Sequence, residues 1–459
     1  MDMRMRLVIV GGGISGLSLA YFLREKAPSL DILVLESEKK AGGKIWTNRV
    51  EGFLCEGGVN GFLDNRPRTL ELAAKLGLTP VRSNDAARKR FIFSEGKLHT
   101  LPESPLSFFT SNLLSLYGRL RIVLEIAVPK GGGDDETLAD FARRRLGREA
   151  FEKLIDPMAS GIYAGNPEKM SLRSCFPRIY DLENKYGSLI RALIKLQREA
   201  KKKTGKKVGP GPGGVLTSFY DGMEVFITAL KTFLGERLKT ESRVVSIDKK
   251  GDTYTVCLSD NSKIEAESVV IATPAHATSE IIRDFNRDLS LTLGEIPYPP
   301  VAVVCLGYAR NKMRQPLDGF GFLVPKRENR RILGTLWDSS IFPNRAPEGY
   351  ILLRSMLGGA RAVDVALQDE NRLVNTVLDE MKKIMDVQDQ PDFVKVYTHE
   401  KGIPQYLSGH GRRLEVIDNI VSSHRGFYIT GNSYRGIGVN DCIENSYKLA
   451  ERIVHDQKS

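Results

Sequence analysis

The sequence predicts an α/β (α+β) protein: a parallel-sheet domain assembled from separated segments, an antiparallel-sheet domain and a helical insertion. Three textures carry this expectation. Short β-branched runs alternate with a helix up to about residue 75, and return in pieces after residue 215. Between Leu106 and about Ala200 the apolar pattern is helical, with Leu113, Leu114, Leu116, Leu120, Val123 and Leu124, then Leu138, Phe141, Leu146 and Leu154. From Val301 to Met356 strands such as Val301–Cys305 and Phe320–Val324 are separated by turn signals, the mark of an antiparallel sheet.

The 459 residues exceed one ordinary domain of about 100–200 residues, so two or three units are expected. Hydrophobic residues at 41% and charged ones at 27% exclude wholesale disorder. No apolar run approaches the ~18 residues of a spanning helix. The apolar run Leu7–Val10 stops at Gly11, short of the ~7–15-residue core of a signal peptide, so it reads as a first strand and a cytoplasmic location is expected. Five scattered cysteines without CxxC and six dispersed histidines without HExxH argue against a disulfide framework and against metal catalysis. Net charge is +11, and Lys195–Lys207 holds more than half of it, seven cations against Glu199 alone. Beside Gly209–Gly214 this run reads first as a solvated loop, and second as a tether to anionic lipid. No nucleic-acid module is visible, so that partner is discounted.

Arg6–Val10 reads as a strand, and Gly11-Gly12-Gly13-Ile14-Ser15-Gly16 gives GxGxxG before a helix running through Lys26. A second strand, Asp31–Leu35, ends at Glu36, twenty residues beyond Gly16. Gly11 permits the tight turn, Gly13 lets the backbone approach a pyrophosphate, and Gly16 allows close packing of helix on strand. The helix amino terminus presents N–H groups and a positive dipole end to phosphates, and Glu36, with Ser37 beside it, is placed for the ribose hydroxyls. An acid here suits a free 2′-hydroxyl, which leaves FAD or NAD and makes the domain Rossmann-like. Gly42-Gly43-Lys44 and Gly57-Gly58-Val59-Asn60-Gly61 resemble the second fingerprint of flavin amine oxidase-type proteins and favour FAD, with Gly43, Lys44, Gly58, Val59, Asn60 and Gly61 as contacts.

Further strands are expected at Arg243–Ile247, Tyr254–Leu258, Ser268–Ala272 and Phe427–Thr430, followed by a helix from about Asn440 to His455. Gly431-Asn432 closes a strand, and Gly436-Ile437-Gly438-Val439 opens the last helix. A helix start there aims N–H groups at the flavin pyrimidine ring, so Asn432, Ile437, Gly438 and Val439 join the cofactor candidates. The segments are drawn at 1–85, 215–295 and 396–459 for the FAD-binding domain, 86–105 and 296–395 for the sheet domain, and 106–207 for the helical insertion.

The motifs Gly161–Asn166, Leu172–Pro177, Gly319–Pro325, Ile403–Tyr406 and Val439–Ile443 resemble those of oxygen-dependent protoporphyrinogen oxidases, in the same order and over nearly the whole chain. The resemblance implies one non-covalent FAD per chain. It would take hydrides from a porphyrinogen in three two-electron steps and pass electrons to oxygen, giving hydrogen peroxide in heme biosynthesis. A porphyrinogen methylene bridge between two electron-rich pyrroles loses hydride readily, so no side-chain catalyst is expected, only position and electrostatics. By resemblance Arg90 holds a substrate propionate, Phe320, Gly321, Leu323 and Met356 sandwich or flank the macrocycle, Gly161 gives a backbone contact, and Val244 meets the adenine. Without the resemblance Arg90 reads as a surface cation and the apolar residues as core.

The partners expected are the porphyrinogen and oxygen, with an anionic membrane surface and a second copy of the chain as further candidates. Leu106–Ile126 mixes Phe108, Phe109, Leu113, Leu114, Leu116, Leu120 and Val123 with Arg119, Arg121 and Glu125, too polar to span but suited to the cytoplasmic interface. One alternative is the same chemistry on coproporphyrinogen III, which carries four propionates. Another is a flavin amine oxidase, disfavoured because Ile437 stands after Gly436 where an aromatic cage residue is common. A third, of another class, is a flavin-free binding protein of the same fold.

Overall fold

The computed structural model describes residues 6–102, 105–131, 133, 135–204 and 213–457. Its first sheet is parallel throughout, in the order Leu238–Lys239, Asp31–Leu35, Arg6–Val10, Ser268–Ile271 and Phe427–Ile429. Leu7, Val8, Ile9 and Val10 are all buried, as a strand covered on both faces requires. On one face Leu7 and Ile9 pack against Leu17, Leu19, Ile443 and Ile453, from the helices Ile14–Lys26 and Val439–Asp456. On the other face Val8 and Val10 pack with Ile247, Tyr254 and Val256.

That second cover corrects the expectation that βαβ punctuation resumes after residue 243. Val244–Lys250, Thr253–Leu258 and Lys263–Ala266 form a separate antiparallel meander, and it is Ser268–Ile271 and Phe427–Ile429 that enter the parallel sheet. Thr253–Leu258 alternates buried and half-buried residues, the signature of a sheet with one wet face.

A second, seven-stranded sheet runs in the order Phe393–His399, Val301–Ala309, Tyr350–Gly358, Ile332–Leu336, Gly321–Leu323, Arg90–Ser94 and Lys97–Thr100. It is antiparallel as expected, except that Gly321–Leu323 pairs in parallel with Arg90–Ser94. The exception arises because the hairpin of residues 90–100 docks on the sheet from far away in sequence, free of a turn that would impose direction. Strand Phe393–His399 crosses the boundary drawn at 395/396. Leu373, Val377 and Met381 of the helix Glu370–Met385 cover one face, packing with Val304, Leu306 and Leu353 of the sheet. The other face carries Val303, Cys305 and Met356 and meets Phe53 and Trp46 of the first domain.

The insertion is helical as expected, including Leu116–Val123, Leu138–Leu146, Asp156–Tyr163, Pro177–Tyr186 and Leu189–Thr204. Buried Arg145 ties it together, with Nη1 3.0 Å from Glu125 Oε1 and Nε 2.7 Å from Glu183 Oε1. Glu125 also accepts from the N–H groups of Leu189 and Ile190, fixing the start of the long helix. Leu113 and Leu114 are buried, whereas Phe109, Leu116, Tyr117, Leu120, Val123, Leu124 and Ile126 are exposed. Lys206 and Lys207 lie outside the described residues, as do the side chains of Lys201–Lys203. Among the described residues no helix is long and apolar enough to cross a membrane.

Candidate functional site

The carboxyl ends of the central parallel strands open on a cleft of about 580 Å³. Gly11, Gly13, Ile14, Ser15, Glu36, Ser37, Gly43, Lys44, Val59, Val244, Asn432, Ile437 and Val439 all line it. Thr273, Pro274 and Ala277 line it as well, and sequence reasoning missed them. The available signal was the end of strand Ser268–Ile271, because ligands of parallel sheets sit beyond the strand carboxyl ends.

Gly12, Gly16, Gly58, Asn60, Gly61 and Gly438 are not among the lining residues; most of them shape the backbone behind it. A side chain at Gly16 would strike the Gly11 carbonyl, one at Gly58 the Lys44 carbonyl, and one at Gly61 would come within 2.5 Å of Thr217 O. Gly11 holds φ +111°, a backbone state that side chains disfavour. Gly13 differs from all of these. Its φ is −75°, and a β-carbon there would have only Gly43 Cα within 4 Å, at 3.9 Å. Among the described residues, no neighbour requires glycine at position 13.

Glu36 is buried and held by backbone. Its Oε2 accepts from Gly12 N–H at 2.7 Å, and its Oε1 from Glu38 N–H at 2.9 Å and Ser37 Oγ at 3.1 Å. A carboxylate has about four lone-pair sites, so acceptor capacity is left for hydroxyls in the cleft. The helix Ile14–Lys26 begins without a side-chain cap and without an acid in its first turn. The buried amide nitrogen and oxygen of Asn60 both lack a partner. An uncapped helix start, a glycine that only an outside group would require and an orphaned amide fit a bound dinucleotide.

At the other end Gly438 caps Val439–Asp456, and its N–H donates to Asp441 Oδ2 at 3.3 Å. Lys44 Nζ donates to the carbonyls of Lys401 and Gly402, and burial pushes the ammonium down to about 8. Burial also lowers His399, which donates from Nε2 to Gly57 O at 2.8 Å.

Five of the six substrate candidates come together about the inner strands Gly321–Leu323 and Arg90–Ser94 of the second sheet. The Arg90 guanidinium lies 5.3 Å from the centre of the Phe320 ring, and Arg90 pairs with Gly321 across the parallel ladder. Gly161, on the helix Asp156–Tyr163, packs so closely that a β-carbon there would stand 2.6 Å from Leu323 Cδ2. Met356 is two strands from Leu323, with Gly334 paired to both. The cleft lining includes none of the six. Ile437 lines the cleft and packs in the apolar cluster of Tyr163 and Tyr406, and Tyr163 lies on the same helix as Gly161. The Tyr406 hydroxyl in turn donates to Asn432 O at 2.6 Å.

The family model of flavin containing amine oxidoreductases matches residues 14–454. The chain belongs to this family. It is therefore a flavin-dependent oxidoreductase. It is 34% identical over 472 residues to the chloroplastic protoporphyrinogen oxidase of Oryza sativa subsp. japonica, covering 97% of this chain and 87% of that protein. It is 29% identical to the coproporphyrinogen III oxidase of Bacillus subtilis (strain 168), covering 96% of each. A crystal structure from Exiguobacterium sp. 255-15, provisionally assigned as a protoporphyrinogen oxidase, matches with a TM-score of 0.84 at 26% identity over 100% of both chains.

Proposed function

We propose that the protein is an FAD-dependent oxidase that converts protoporphyrinogen IX to protoporphyrin IX in heme biosynthesis, reducing oxygen to hydrogen peroxide. The observation that carries the reading is the Arg90–Phe320 pair and its apolar neighbours, beside the cleft that Glu36 and Val244 line, in a chain similar throughout to named porphyrinogen oxidases. FAD is preferred to a shorter flavin because Glu36 and Val244 line the cleft that Lys44 and Val439 also line, which leaves room for an adenosine.

When bound, the flavin supplies the hydride acceptor. The chain supplies position. Glu36 accepts from the ribose hydroxyls, the start of Ile14–Lys26 faces the pyrophosphate, and the start of Val439–Asp456 faces the pyrimidine ring. Phe320, Gly321, Leu323 and Met356 flank the macrocycle and exclude water, Gly161 contacts it through backbone, and Arg90 anchors a propionate. One charged hydrogen bond of that kind contributes about 1.5–3 kcal/mol. No side chain is assigned as a base: a pyrrole N–H made acidic by loss of hydride would release its proton to solvent.

Steady-state rates on protoporphyrinogen IX and coproporphyrinogen III, read by product fluorescence, test the reading. A higher kcat/KM on protoporphyrinogen IX supports it. The reverse order moves the assignment to coproporphyrinogen III, and no oxidation of either overturns both. Acid precipitation should release FAD; FMN, or a chromophore that stays with the polypeptide, contradicts the cofactor assignment.

The exposed residues Phe109, Leu116, Leu120, Val123 and Leu124 support docking on an anionic membrane surface, with half-buried Arg119 beside them, whereas Arg121 turns inward to the carbonyls of Arg144 and Arg145. Flotation with anionic liposomes, weakened by salt, is the expected result. Protein that stays at the bottom of the gradient at low salt contradicts docking.

A further inference from the structure

Beneath the Gly57–Gly61 loop lies a buried charge pair that the chemistry above does not use. Arg354, in strand Tyr350–Gly358, places Nε 2.8 Å from Oδ2 of Asp338, and both side chains are essentially removed from solvent. Replacing such a pair with apolar residues is often neutral or stabilising, so packing alone does not account for it.

The remainder of the guanidinium points to another function. Arg354 Nη1 donates to Gly58 O at 3.2 Å and to Glu56 O at 3.4 Å, while His399 donates to the intervening Gly57 O. Three successive carbonyls of the loop are thus held by two side chains of the seven-stranded sheet. On its other side the loop is held through the Glu56 carboxyl group, which accepts from Thr47 Oγ1 at 2.6 Å and from Met223 N–H at 2.8 Å. The loop then continues to Val59, in the cleft wall, and to Asn60 with its unpartnered amide.

Within the sheet, Arg354 pairs with Leu336, Leu336 with Gly321, and Gly321 with Arg90. Met356 lies two residues along the same strand and so on the same face.

We propose that Arg354, oriented by Asp338, is a positioning residue that fixes the Glu56–Asn60 loop for flavin binding and locks it to the sheet carrying Arg90 and Met356. It touches neither flavin nor substrate. The inference rests on the reading of the cleft as the flavin site.

The test uses full-length apoprotein titrated with FAD, together with the visible circular dichroism of the bound flavin and the melting temperature of the apoprotein. Arg354→Lys keeps the charge but lacks the planar fork that serves Asp338 and two carbonyls at once. It should bind FAD roughly tenfold more weakly, with an altered flavin dichroism. Arg354→Met combined with Asp338→Leu removes both charges without stranding either, and should weaken binding by roughly tenfold to a hundredfold, the range for a lost charged hydrogen bond. Arg145→Met is the control. Arg145 is equally buried but is tied to Glu125 and Glu183 in the helical insertion, and its loss should leave the flavin dichroism unchanged.

Wild-type FAD affinity and dichroism in folded Arg354→Lys overturn the proposal, as they would in the double variant. If the double variant does not fold, Arg354→Lys alone decides. A wild-type chain that binds no FAD overturns the cleft reading instead, a separate result.

Discussion

Gly13→Ala separates what the fold requires from what the cofactor requires. The backbone at Gly13 is open to any residue, at φ −75° and ψ 176°, and a methyl group there meets only Gly43 Cα, at 3.9 Å. Two opposing effects act on the apoprotein. Restricting the unfolded chain stabilises it by about 0.4–1 kcal/mol. Alanine at a helix N-cap, where glycine is the better residue, costs a similar amount, so the net change stays within about 1 kcal/mol. Gly13 lines the cleft, and on the proposed reading its added methyl group would meet the pyrophosphate. Overpacking costs about 1–3 kcal/mol, which corresponds to flavin binding weakened roughly fivefold to 150-fold. The assay pairs the melting temperature of the apoprotein with a fluorescence titration of FAD. Gly16→Ala is the counterpart, since its methyl group strikes the Gly11 carbonyl and should lower apoprotein stability itself. Full FAD affinity in Gly13→Ala, or a collapse of its apoprotein stability equal to that of Gly16→Ala, refutes the reasoning.

Three more expectations concern the second domain and its border. Arg90→Ala should raise KM for the porphyrinogen roughly tenfold to a hundredfold with kcat largely kept, because it removes binding common to ground and transition states; unchanged kinetics returns Arg90 to a surface role. Gly321→Ala should destabilise the apoprotein by about 1–3 kcal/mol, because φ is +124° and the added carbon would strike Thr335 O; an unchanged urea midpoint contradicts this. Burial pushes the Glu56 carboxyl from 4.5 up to about 7, so the folded state binds its proton more tightly than the unfolded chain does. The stabilisation this gives is complete below the unfolded value and is lost as pH rises towards 7, about 3 kcal/mol in all. Relative to wild type, Glu56→Gln should therefore gain stability in urea melts between pH 4 and pH 8, and a constant difference would argue against a buried titrating carboxyl.

The strand–glycine turn–helix that forms the candidate cleft was legible because its geometry is local. A strand, a tight glycine turn, a helix and a second strand fix where Glu36 falls, and Glu36 stands there with Gly12 N–H on its carboxylate. Other parts were not legible. Leu238–Lys239 joins the parallel sheet with two residues, too few for any periodicity. Val244–Lys250 and Thr253–Leu258 share the β-branched composition of the parallel strands, and only the pairing and the alternation of burial along Thr253–Leu258 reveal the meander. Gly321–Leu323 meets Arg90–Ser94 across a long sequence separation, which no local pattern reports. Among so many cations, residue order does not distinguish Arg354, buried on Asp338, from Arg90, exposed beside Phe320. The substrate candidates were therefore legible only through resemblance to a known family, and Arg354 not at all.

The most direct test of the central claim is anaerobic mixing of the FAD-loaded protein with protoporphyrinogen IX, following the visible flavin band. The account predicts that the band bleaches as porphyrin fluorescence appears, and that it returns when oxygen is admitted. A flavin that stays oxidised in the presence of excess porphyrinogen would contradict it.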